Sequence, residues 1–109
     1  MKKGALLIGM LAMATFAAAS HARASDAYDL ERTCRASDYD NVQSCNRYVT
    51  AEVNKILFSP HPGICFPQRF SPSQSVPVIV RYIQYRPWTW RRPASLIIWQ
   101  AIRENYRCR

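Results

Sequence analysis

Apolar residues recur at helical spacing in two segments of the chain. Within residues 40–57 they return every three or four positions, which predicts an amphipathic helix with Val42, Cys45, Val49, Val53 and Ile56 on one face. Asp40 is the predicted N-cap, and Gln43 three positions later completes a capping box. After Pro93 the same spacing predicts a last helix whose buried face is Ala94, Ile97, Ile98, Ala101 and Ile102.

A proline complicates the pattern between residues 71 and 85. Ser71, Pro72 and Gln74 are typical of a helix start, and the buried stripe that follows is Val76, Ile79, Val80 and Ile83. A helix beginning at Pro72 would hold Pro77 in its interior, at a cost of about 3 kcal/mol or a kink. A start near Ser75 would place Pro77 in the first turn. The β-branched run VPVIV also permits a strand, which periodicity does not exclude.

The remaining segments complete an all-α prediction. Residues 26–34 fit one or two helical turns, and FSPHPGICFP, residues 58–67, is a loop because it holds three prolines and a glycine. We expect a small four-helix domain, within a range of three to five helices, over residues 25–109.

The N-terminus has the pattern of a secretory signal peptide. Lys2 and Lys3 precede a 15-residue apolar run, and Ala22 and Ala24 are small residues suited to a signal peptidase. The run is short for a stable membrane span, which needs about 20 apolar residues. We expect residues 1–24 to be removed, with cleavage after Ala19 as the alternative, and the protein to be periplasmic.

Charge is unevenly distributed in the mature chain. Residues 25–64 carry 4 bases and 6 acids, whereas residues 65–109 carry 8 bases and a single acid, Glu104. A basic half of this kind favours an anionic partner through electrostatic steering.

Four cysteines are expected to form structural disulfides. An even number of cysteines in a small exported domain is typical of a disulfide framework. Zinc is disfavoured because no C-x-x-C pair exists and His61 is the only histidine after the signal peptide. We expect no metal and no cofactor.

The stretch YRPWTWRRP, residues 85–93, is the candidate partner-binding segment, and we call it the Trp–Arg loop. Trp, Tyr and Arg dominate interface hot spots, so the predicted contact residues are Arg86, Trp88, Trp90, Arg91 and Arg92. Nucleic acid or anionic lipid would also suit such a surface, but export makes nucleic acid an unsuitable partner. An alternative is that Trp90 covers the core.

No catalytic constellation is present in the sequence. His61 lies four residues from Cys65, but a thiol nucleophile must stay reduced, and export favours its oxidation. Glu52 and Glu104 fall on predicted helices, where a lone carboxylate is usually solvated or paired. We expect the protein not to be an enzyme.

An ordered set of residues resembles a known family. Cys34, C-x-x-Y-V from Cys45, C-x-P from Cys65, and Y-x-C at the end resemble the periplasmic immunity proteins that protect bacteria against peptidoglycan amidase toxins delivered by type VI secretion. The resemblance spans about residues 30–108. Its packing and turn positions are Tyr48, Pro67, Tyr82 and Pro87.

The resemblance implies a helical, commonly dimeric protein without catalytic activity. Members of the family bind the amidase and block its catalytic cleft. This chain departs from the family pattern at Ala51, Pro77 and Trp88, and its Trp–Arg loop is unusually basic and aromatic.

Two disulfide pairings remain open, of which we prefer the first. If the third and fourth helices are antiparallel, Cys65 lies near Cys108, and Cys34 then pairs with Cys45. The chain-entropy model gives about 4 kcal/mol for the longer loop and about 3 kcal/mol for the shorter one. The alternative joins Cys34 to Cys108 and Cys45 to Cys65, because connectivity does not follow from spacing alone.

Two other functions compete with amidase inhibition. A periplasmic stress chaperone activated by acid would share this small helical build, although only 7 acidic residues are present to respond to pH. An orphan member of the same family, with no toxin to bind, is the other alternative.

Overall fold

Four α-helices form the domain in a computed structural model that describes residues 26–109. They are α1 (Ala27–Arg35), α2 (Tyr39–Leu57), α3 (Val76–Gln84) and α4 (Ala94–Asn105), and two short 3-10 turns cover Pro72–Ser75 and Pro87–Thr89. Residues 26–109 contain no strand, only isolated bridges between Asp26 and Pro93 and between Ile64 and Arg107. The predicted all-α, four-helix fold is confirmed. The predicted signal peptide, residues 1–24, lies outside the described residues.

Aspartates begin the first two helices. Asp26 accepts a hydrogen bond from the backbone N–H of Asp29 at 2.9 Å, and Asp38 accepts one from Asn41 at 3.1 Å. The predicted cap at Asp40 is wrong, because α2 begins at Tyr39 and Asp40 therefore lies inside the first turn. Asp38 has the extended backbone, φ −75° and ψ 152°, that lets a capping carboxylate reach the exposed N–H groups.

Pro77 is accommodated in the first turn of α3. The helix begins at Val76, so Pro77 stands where a backbone N–H would have no intrahelical partner. Ser71 instead begins the separate 3-10 turn, where its N–H donates to the Gln74 side chain at 3.1 Å. The expected start near Ser75 is confirmed, and the strand alternative is wrong.

The core is formed by the predicted apolar faces. Fully buried aliphatic side chains come from α2, α3 and α4: Val49, Val53, Ile56, Ile79, Ile83, Ile97, Ile98 and Ile102. Each contributes about 1.5–3 kcal/mol through removal from water. Val76 and Val80 of the predicted α3 stripe are only half-buried, whereas Tyr82, which was not in the stripe, is buried beside Ile83.

Two disulfides staple the helices. Cys34 joins Cys45, which links α1 to α2, and Cys65 joins Cys108, which links the loop before α3 to the C-terminal tail. Backbone hydrogen bonds reinforce the second link, because Cys108 donates to Gly63 at 3.0 Å. Gly63 has φ 84°, a conformation that favours glycine.

A buried carboxylate connects α1 to α3. Glu31 is 5% exposed and accepts hydrogen bonds from Arg35 at 2.6 Å and from Gln84 at 3.0 Å. These hydrogen bonds compensate for the burial of the Glu31 carboxylate, which would otherwise be unfavourable. They also orient α3, whose C-terminal end leads directly into the Trp–Arg loop.

Candidate partner-binding surface

The Trp–Arg loop has a closed backbone. Trp90 N–H donates to the Pro87 carbonyl at 3.1 Å, and Arg92 N–H donates to the Thr89 carbonyl at 2.9 Å. The Thr89 hydroxyl, 2% exposed as a residue, donates to the Arg86 carbonyl at 2.7 Å. These bonds give the loop a defined shape even though it connects two helices at the surface.

The same loop supplies the backbone acceptors for the start of α1. The N–H of Ala27 donates to the Arg92 carbonyl at 2.9 Å, and the N–H of Tyr28 donates to the Trp90 carbonyl at 3.1 Å. The first N–H groups of a helix have no partner within it, so the loop satisfies two of them. The Trp–Arg loop is thereby fixed to α1 as well as to α3 and α4.

Trp90 packs inward. Its indole N–H donates to the Ile83 carbonyl at 2.9 Å, and its ring lies 5.2 Å from that of Tyr28. The side chain is half-buried against the core. These contacts favour the alternative in which Trp90 covers the core, because a bound and packed indole has little surface left for a partner.

Trp88, Arg91 and Arg92 point to solvent. Trp88 is 71% exposed, and both arginines are exposed. Tyr85, at the end of α3, is also 71% exposed. The loop therefore presents two large aromatic side chains together with two cations on one rigid segment.

Arg86 is held in place by its neighbours. Its guanidinium lies 3.9 Å from the centre of the Tyr82 ring, and one terminal nitrogen donates to the Tyr82 carbonyl at 3.3 Å. The other terminal nitrogen is 3.7 Å from a carboxylate oxygen of Glu104. This stacking and pairing orients a cation that is one-third exposed.

Glu104 also accepts a hydrogen bond from the hydroxyl of Tyr82 at 2.9 Å. Burial raises the pKa of Tyr82, and the hydrogen bond and negative charge of Glu104 raise it further, whereas Arg86 and Arg103 act in the opposite direction. The hydroxyl therefore remains a neutral donor at physiological pH and keeps Glu104 attached to α3.

A groove beside this network was not predicted from the sequence. Its volume is about 240 Å³, and its walls are Val78, Arg81, Tyr82, Tyr85, Arg86 and Asn105. Arg81 and Tyr85 are four positions apart and oppose the buried Ile79 and Ile83, so the helical period places them on the outer face. The approach of Asn105 from α4 has no local sequence pattern.

The cysteines and His61 have structural contacts within the described residues. All four cysteines are in disulfides, and no group of three or more potential metal ligands was found among residues 26–109. A ring nitrogen of His61 lies 2.6 Å from the Ser59 carbonyl, and the His61 ring stacks edge-on against Phe66. Over the same residues, no helix is sufficiently long and apolar to cross a bilayer.

Fold and surface together define a small, disulfide-stapled helical domain with an exposed basic and aromatic face. The sequence matches the model of the Rap1a immunity proteins over residues 26–108. The chain belongs to this family, and membership supports an immunity role with a protein effector as the partner. Neither curated proteins nor solved structures gave a significant match.

Proposed function

We propose that the protein is exported to the periplasm, where it binds a peptidoglycan amidase toxin delivered by type VI secretion and occludes its active site. Membership of the immunity family supports the inhibitory role. The pattern at residues 1–24 supports export. The resemblance of the ordered cysteine and tyrosine positions to amidase immunity proteins supports the class of toxin.

The observation that carries this proposal is the exposure of Trp88 on a fixed loop. An indole that is 71% exposed leaves much of its apolar surface in water. The closed backbone of the loop means that little conformational entropy is lost when a partner binds it. An exposed tryptophan on a hydrogen-bonded loop that also carries Arg91 and Arg92 has the composition of an interface hot spot.

Occlusion requires a surface larger than one loop. A specific interface of standard size buries about 1,600 Å² in total. Trp88 would enter the cleft of the toxin while Arg91 and Arg92 contact its rim. A homodimer would add a second copy of the loop and so extend the covered area.

The test removes the exposed side chains and measures inhibition. We expect Trp88→Ala combined with Arg91→Ala to weaken toxin binding by about 30-fold or more, because a single hot-spot side chain is worth about 2 kcal/mol or more. Thermal unfolding should be nearly unchanged, since both side chains lie in solvent. Binding is measured by calorimetry, and inhibition by the release of peptide from isolated peptidoglycan, with a peptidoglycan amidase toxin of the type VI class as the target enzyme.

The matched control is Phe58→Ala combined with Arg47→Ala. Phe58 is 86% exposed and Arg47 is exposed, and both belong to α2 or its end rather than to the loop. We expect this variant to inhibit like the unmodified protein. A lower melting temperature with intact affinity in the Trp88 and Arg91 variant would show that the loop is structural and would contradict the proposal.

A further inference from the structure

The groove formed by α3 and the end of α4 has an excess of positive charge. Arg81 and Arg86 line it, and Arg103 is close enough to act on the hydroxyl of Tyr82. The one acidic residue of the basic half is Glu104, and it is already engaged by Tyr82 and Arg86. Arg81, Arg86 and Arg103 therefore outnumber the single carboxylate of Glu104 in this part of the fold.

Donor capacity remains at both lining arginines. Arg81 is exposed and forms no ion pair with any carboxylate within residues 26–109. The 3.7 Å separation between Arg86 and Glu104 exceeds hydrogen-bonding distance, so the second terminal nitrogen of Arg86 still has N–H groups to offer. Two cations with unused donors that line one groove provide the chemistry to bind a planar anion.

The aromatic walls restrict the shape of that anion. Tyr82 is nearly buried and forms the floor, whereas the ring of Tyr85 is 71% exposed and stands at the edge. A groove of about 240 Å³ is large enough for one side chain and too small for a folded element. The chemistry and size together fit a single carboxylate carried on a protein segment.

We propose that this groove is a specificity subsite that binds an aspartate or glutamate side chain of the partner between Arg81 and Arg86. The identity of the partner rests on the proposed inhibitory function, whereas the carboxylate chemistry rests on the groove alone. Arg86 belongs to both surfaces, so an acidic segment at the rim of the toxin cleft would lie in the groove while Trp88 enters the cleft. Glu104 acts as a positioning residue, because it holds Arg86 and Tyr82 and touches no partner.

A blocked tetraglutamate peptide is the probe for the groove. The oxidised protein, labelled with ¹⁵N, is titrated with this peptide, and the chemical shifts of the backbone amides are followed. We expect saturable shifts centred on Arg81, Tyr85, Arg86 and Asn105. A blocked tetraglutamine peptide should produce no such pattern, because it lacks the charge.

The variant Arg81→Gln is compared with Arg47→Gln, an exposed arginine of α2 that does not line the groove. We expect Arg81→Gln to weaken tetraglutamate binding about fivefold, which is the effect of one partly exposed ion pair. Arg47→Gln should bind like the unmodified protein. Equal weakening by both substitutions, or shifts that are the same with tetraglutamine, would overturn the subsite.

An amidase inhibition assay distinguishes failure of the carboxylate subsite from failure of the proposed function. If the unmodified protein binds tetraglutamate in the groove but does not inhibit the amidase, the proposed function is wrong and the carboxylate subsite stands. If it inhibits the amidase and Arg81→Gln inhibits equally at limiting concentration, the subsite is wrong and the proposed function stands. Weaker inhibition by Arg81→Gln, with inhibition by Arg47→Gln unchanged, supports both.

Discussion

At the scale of single residues, Trp88 and Trp90 have opposite roles although only one residue separates them. Trp90 donates a hydrogen bond to Ile83 and packs on Tyr28, whereas Trp88 is 71% exposed. Trp88 lies within the 3-10 turn Pro87–Thr89 and Trp90 directly follows it, so the turn separates a solvent-facing ring from one that packs on the core. Tertiary contacts therefore divide one sequence motif into a structural residue and a candidate contact residue.

This division predicts different effects of a conservative change. Trp90→Phe retains an aromatic ring but removes the indole donor, so we expect the free energy of unfolding to fall by about 1 kcal/mol. Trp88→Phe is the matched control and should change it by less than about 0.5 kcal/mol, as is usual for a surface substitution. Urea denaturation measures both. Equal losses would contradict the assignment of Trp90 to the core.

At the scale of elements, short polar contacts determine where each helix begins. Asp38 holds the start of α2, and Pro77 occupies a position in α3 where no hydrogen bond is lost. The carbonyl groups of Trp90 and Arg92, in a distant part of the chain, accept hydrogen bonds from the first N–H groups of α1. The starts of α2 and α3 could be predicted approximately from the sequence, whereas the start of α1 depends on contacts that form only in the fold.

The start of α2 gives a prediction with an internal control. We expect Asp38→Ala to lower the melting temperature, because it removes the cap, and Asp40→Ala to lower it less. Side-chain and backbone hydrogen bonds from Asn41 hold the pKa of Asp38 below its usual value. The stabilisation by its charge is therefore present above about pH 4, the unfolded value, and is lost as the pH falls through the lower folded value.

Melting curves at pH 7 and pH 2.5 test the capping role of Asp38 and the pH dependence of its stabilising charge. The difference between the unmodified protein and Asp38→Ala should shrink at the lower pH. If Asp40→Ala is the more damaging substitution at pH 7, the cap has been assigned to the wrong residue.

At the scale of the whole molecule, two covalent links compensate for a small core. A domain of 84 residues, 26–109, is expected to be stable by about 4–13 kcal/mol. The two disulfides close loops worth about 3 and about 4 kcal/mol in the chain-entropy model. Their combined effect is comparable to the expected stability of the entire fold.

Reduction is therefore predicted to unfold the protein at 25 °C. Far-ultraviolet circular dichroism, recorded with and without a phosphine reductant, should show loss of most helical signal after both disulfides are reduced. The variant carrying Cys65→Ala and Cys108→Ala retains only the link from Cys34 to Cys45 and should melt at an intermediate temperature. A cooperative transition within a few degrees of the oxidised protein after full reduction would contradict this prediction.

Much of the fold could be predicted because it depends on local pattern. The apolar faces of α2 and α4 follow from the spacing of Val49, Val53, Ile97 and Ile98, which the structure buries completely. The sequence pattern predicts the cap of α2 at Asp40, two residues too late, because Asp38 and Asp40 have similar local surroundings in sequence. The groove could not be predicted, because Tyr82 and Asn105 are 23 residues apart and line it together only when α3 packs beside α4.

The sequence by itself determined the helices, the presence of disulfides and the basic half of the protein. Helical periodicity depends on neighbouring residues, and the number of cysteines and the charge follow from counting residues. The tertiary structure decided which cysteines pair, which tryptophan is exposed and where Arg81 and Arg86 form a groove with Asn105. These features depend on the relative placement of helices. That placement is set by packing in the core and by contacts between distant residues, which leave no local pattern in the chain.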